Sequence, residues 1–105
     1  MPIVRSRRYS SKYTTQRTIT ANDTMVASDQ MILCNNTVAI AVTLPSASTV
    51  SKSFYTLKDI NGKASAYNVT VTPAAGNIDG AANYVIKVDY ESATFYSDGS
   101  NYWII

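Results

Sequence analysis

Few side chains in this sequence could carry out a reaction. Asp89 and Glu91 stand two residues apart, a spacing that places two carboxylates on one face of a strand. Paired carboxylates can serve as acid and base on a glycosidic bond, but that chemistry also needs a substrate cleft. A chain of 105 residues has little room for one, and the Asp-Tyr-Glu stretch reads better as a solvated turn between two strands. The sequence contains no histidine, so no Ser-His-Asp or Cys-His relay can be assembled. The chain is therefore expected not to be an enzyme.

Metal and cofactor chemistry meets the same shortage. Asp59-Ile-Asn-Gly-Lys63 and Ser97-Asp-Gly-Ser-Asn101 set oxygen ligands beside glycine. Both lack the fixed spacing and the closing bidentate acid of a calcium loop, so both are expected to be ordinary turns. No phosphate-binding glycine loop appears, and no metal or cofactor is expected. The single cysteine, Cys34, cannot form an internal disulfide. Lying in the apolar run Met31-Ile-Leu-Cys34, it reads as a buried, inert thiol.

Binding residues are easier to find. Arg5, Arg7, Arg8, Lys12 and Arg17 fall within the first 17 residues with no acid among them, and Tyr9 and Tyr13 are interleaved. The rest of the chain holds four lysines against seven acids. A basic segment joined to a mildly acidic body points to an interaction arm. Cations alternating with aromatics could hold nucleic acid through phosphates and stacking. They could equally pair with carboxylates on a protein surface. Five cations make a weak nucleic-acid tail, so the protein surface is favoured.

Eight tyrosines and one tryptophan suit sheet cross-strand pairs and subunit interfaces, and less readily contact with a glycan. Charged residues make up 15% of the chain, against about 25% in typical globular proteins. That shortage suits a surface partly covered by copies of itself or by a partner. No apolar run is long enough to span a membrane as a helix. The basic N-terminal residues are not followed by the apolar stretch of a secretory signal.

The elements that must position these residues are strands. Residues 1–24 have no core-grade hydrophobic run and are expected to form an extended arm. Residues 25–105 read as one β-domain. Thr37–Pro45 alternates, with Val38, Ile40, Val42 and Leu44 on one side, the period of a half-buried strand. Phe54–Asp59, Tyr67–Pro73, Tyr84–Val88, Ala93–Ser97 and Tyr102–Ile105 follow as strands. Ser46–Ser53 reads as a loop or short helical turn, and Ile78 as an apolar residue tucked inward. Asn61-Gly62 and Asp98-Gly99 supply turns that need positive φ. Short β-branched and aromatic strands separated by turn residues predict an all-β fold: a compact antiparallel sandwich or a barrel-like domain.

The order of segments resembles a β-domain of bacteriophage virion proteins found in tail fibres, tail spikes and small capsid or neck appendages. The resemblance rests on Thr43-Leu-Pro-Ser-Ala47, Tyr55-Thr-Leu-Lys-Asp59, Thr70-Val-Thr-Pro73, Ile78-Asp-Gly80 and Tyr96-Ser-Asp-Gly99 with Trp103. It covers residues 25 to 105 and brings no catalytic residue. It implies a virion structural protein, assembled in the host bacterial cytoplasm and commonly trimeric. Tyr102, Trp103, Ile104 and Ile105 would then lie on a terminal strand, covered by the domain's own sheet and partly by a neighbouring copy. The domain stands alone behind a basic arm, which favours a head decoration or cement protein. Its arm would run over the major capsid protein or another virion protein. A tail, neck or fibre component is the alternative, and a receptor- or glycan-binding module the second.

Overall fold

A computed structural model describes residues 15–105. Within them the chain forms nine strands and one 3-10 turn: β1 Gln16–Ile19, β2 Asp23–Thr24, β3 Met31–Cys34, β4 Ile40–Leu44, the turn Ala47–Thr49, β5 Phe54–Asp59, β6 Val69–Pro73, β7 Tyr84–Ile86, β8 Ser92–Ser97 and β9 Tyr102–Ile104. The all-β class is as expected.

The strand pairing is not purely antiparallel. One sheet runs β1-β3-β5-β8-β9 and the other β2-β4-β6-β7. From β1 to β6 the chain alternates between the sheets, so β1, β3 and β5 pair in parallel, as do β2, β4 and β6. This half is a short coil of three turns. Only the later pairs β5–β8, β6–β7 and β8–β9 are antiparallel. The expected antiparallel sandwich is thus corrected to two mixed sheets.

The physical reason lies in the connections. Asn61-Gly62 does not close a hairpin. Asp59 accepts the backbone N–H groups of Asn61, Gly62 and Ala64 at 3.0–3.1 Å. These bonds curl the chain beneath the end of β5 and send it across to the second sheet. Gly62 has φ of +71°, a left-handed conformation that favours glycine.

The coil stacks like on like. Ile32 sits beside Leu57 in the first sheet and Val42 beside Val71 in the second, all fully buried. Cys34, Leu44, Val69, Ile86 and Phe95 complete the filling between the sheets. Burying a side chain of this size is worth roughly 2 kcal/mol. Val38 was expected to join this face, yet it is exposed. Asn36 bends the chain before β4 by donating its amide to the carbonyls of Val38 and Tyr67, at 2.7 and 3.1 Å. Ile78 is buried as expected.

The assigned boundary between arm and domain also moves. β1 and β2 lie inside the stretch 1–24 and are integral strands of the two sheets. Residues 1–14 of that stretch lie outside the described residues.

Candidate interaction surfaces

Arg5, Arg7, Arg8, Tyr9, Lys12 and Tyr13 lie outside the described residues. Arg17 lies within them, and its role differs from that of an arm cation. It occupies the register position of Ile32 and Leu57, while Asp23 occupies that of Val42 and Val71. Where the next two turns put apolar pairs across the sandwich, the first turn puts an ion pair. The Arg17 guanidinium meets both Asp23 oxygens at 2.8 and 3.1 Å. It meets both Asp29 oxygens at 3.0 Å. Asp29 also accepts the Val26 N–H at 2.9 Å. The bonds from Arg17 hold the Asp29 carboxyl below its ordinary range, and they hold the guanidinium charged. Arg17, partly exposed, caps this end of the core through its bonds to Asp23 and Asp29.

The terminal strand divides between inside and outside. Tyr102 is fully buried, and its hydroxyl donates to the Pro45 carbonyl at 2.7 Å. Burial raises its pKa. Ile104 packs partly against the core, while Trp103 and Ile105 are exposed. The outer edge of β9 is covered by the chain itself. Tyr102 donates its N–H to Asn77, Asp79 donates its N–H to Tyr102, and Ile104 donates its N–H to the Asp79 carboxylate. The domain's own structure therefore holds the strand.

Most of the other carboxylates serve the backbone. Asp59 is buried, and burial alone would raise its pKa. Bonds from Tyr90, Ala64, Asn61 and Gly62 outweigh that and hold it low. Glu91 accepts the N–H groups of Lys87 and Val88 and the Tyr84 hydroxyl, while Asp89 accepts the Ser65 N–H. The two acids close different turns and do not face a shared substrate position. Asp98 accepts the N–H groups of Ser100 and Asn101 and the Trp103 indole, each at 2.8 Å. No group of acids, cysteine or histidine that could hold a metal occurs among the described residues. Cys34 is buried, as expected, and burial with the Asp59 charge pushes its thiol up to about 11.

One surface was not anticipated. Phe54, Tyr96 and Trp103 are paired in register on β5, β8 and β9 and form a row on the outer face of the first sheet. Phe54 and Tyr96 have ring centroids 4.9 Å apart. Beside the row lies an open groove of about 690 Å³, lined by Lys52, Ser53, Phe54, Thr56, Thr94 and Ile105 together with Ala27 and Gln30. A signal for the row does exist in the sequence. The dipeptides Phe54-Tyr55, Phe95-Tyr96 and Tyr102-Trp103 each put one ring inside and one outside, because successive strand residues alternate. Only the register shows that the outer rings align.

The outer face of the second sheet is unlike this. Its rows are Thr24, Thr43 and Thr72, and Ala41, Thr70 and Val85, small side chains with no ring among them. No family model matches the chain, and no curated protein is significantly similar to it.

Proposed function

We propose that the chain is a bacteriophage virion structural protein, a head decoration or cement protein acting in trimers on the capsid exterior. The basic segment ahead of β1 lies along the major capsid protein and ties neighbouring subunits together. Its cations pair with carboxylates there, and many weak contacts across a lattice sum to a strong hold.

The polarity of the sandwich carries this reading. The outer edge of β9 is sealed by residues 77–79 of the chain itself. The end formed by β1 and β2 has strands with no second neighbour among the described residues, and it is the end to which the basic segment connects. The motif residues behind the resemblance support it as well. Asp59, Asp79, Ser97 and Asp98, with the carbonyl of Pro45, hold the joints of this fold. They are scaffold residues, as expected of a protein whose task is mechanical.

Localisation of the protein in a reconstruction of the virion tests the proposal. Many copies on the head lattice, with residues 1–14 between capsomers, are the expected result. A few copies at the neck or tail would replace the head role with the alternative of a tail, neck or fibre component. Absence from the particle would overturn both. In the head role, a chain lacking residues 1–14 folds but does not bind particles that lack the protein.

A further inference from the structure

We propose that the groove beside the aromatic row binds an oligosaccharide bearing carboxylate groups. The inference stands apart from where on a particle the chain resides. Its volume of about 690 Å³ falls within the range of roughly 300–1,000 Å³ usual for ligand clefts. The lining is mixed in the way such sites require. Phe54 and Ile105 form apolar walls, and the hydroxyls of Ser53, Thr56 and Thr94 offer donors and acceptors.

The row extends the groove. Phe54 belongs to both, and Tyr96 and Trp103 continue across β8 and β9 at the inter-strand step of about 4.8 Å. Successive outward rings at that step, Phe54 and Trp103 exposed and Tyr96 half-buried between them, offer apolar surface to the C–H faces of successive sugar rings. The indole of Trp103 is held in place by its bond to Asp98. This restraint lowers the entropy lost on binding.

Lys52 sets the charge of the ligand. Among the described residues it is the one charged side chain lining the groove, and its ammonium has no carboxylate partner among them. Its φ is +66°, a conformation that costs a residue with a side chain of order 1 kcal/mol or more. Its backbone is pinned there by an N–H bond of 2.7 Å to Ser97. The turn thus fixes the lysine at the rim of the cleft.

A second copy is the competing occupant, and charge argues against it. The outward strand positions of this sheet carry Lys58 and no acid: Gln16, Thr18, Met31, Leu33, Thr56, Ser92, Thr94 and the three rings fill the rest. The carboxylate at the end of the row, Asp98, is taken up by the Trp103 indole and the Ser100 and Asn101 N–H groups, so the strand positions of a facing copy bring Lys52 no further acid. A carboxylate-bearing sugar supplies the missing charge.

The experiment uses the full chain and the emission of Trp103, its single tryptophan. Tetragalacturonate is the acidic probe and maltotetraose the neutral control. The expected result is a saturable change with the uronide and a response at least about tenfold weaker with the neutral sugar. Lys52→Gln and Phe54→Ala should each weaken uronide binding by about tenfold or more. Both side chains are exposed, so thermal midpoints should stay near the parent value and separate lost binding from lost fold. No saturable response to either sugar, an equal response to both, or unchanged affinity in both variants would overturn the proposal. So would concentration-dependent self-association that buries Trp103.

Discussion

Along the outer edge of β9, the backbone groups are taken up by the chain: residues 77–79 lie along the strand, and Asp79 accepts the Ile104 N–H at 3.0 Å. At the β1–β2 end, no strand among the described residues pairs beyond the outer strands. The core stops there on the ion pairs of Arg17 with Asp23 and Asp29. The same problem, an exposed sheet edge above an apolar core, has two solutions. One covers the edge; the other points charge inward, which discourages unplanned strand pairing. They teach that the two ends do not contribute equally to stability. Hydrogen bonds and rings in a dry interior add up, whereas an ion pair with a partly exposed guanidinium adds little.

The largest effect expected is at the covered end. Tyr102→Ala should cost about 4 kcal/mol, because it removes a fully buried ring and leaves a cavity. Chemical denaturation measures it, and a loss equal to that of an Arg17 variant would break the comparison. Asp59→Asn comes next. A neutral amide oxygen replaces a carboxylate that accepts four backbone N–H groups, at a cost of about 2–3 kcal/mol. The smallest effect is at the ionic end. Arg17→Met should cost about 1–2 kcal/mol, since the guanidinium is partly exposed but buried Asp29 keeps only the Val26 N–H, and it should raise amide exchange in β1 and β2 while β8 and β9 stay protected.

The same variant sharpens the comparison through pH. Because Asp29 has a lowered folded pKa, its contribution is fully present above the ordinary carboxylate value of about 4. It fades as pH falls through the folded value. Below pH 4 the parent should therefore lose part of its stability at the β1–β2 end. Arg17→Met should lack that part and keep the acid loss due to Asp59, whose pKa is also lowered. An unchanged acid limb in the variant would show that the ion pair does not hold the end.

The sequence alone determined where most of the later strands lie. Period-two alternation, Asp-Gly and Asn-Gly turns and strand-ending prolines are local features, and β4, β5, β6, β8 and β9 fall where they place them. It also determined that Cys34 and Ile78 are buried and that residues 59–63 and 97–101 are turns. Tertiary structure alone decided which strands become neighbours. A turn such as Asn61-Gly62 suits a hairpin by its φ preference, but Asp59 and Ala64 route the chain to the opposite sheet, and no local property encodes that choice. The same holds for Arg17, whose charge reads as an arm cation until register sets it against Asp23 and Asp29. It holds too for the outer row of rings. Alternation puts Phe54, Tyr96 and Trp103 outside, but only pairing across three strands, distant in sequence, makes them one surface.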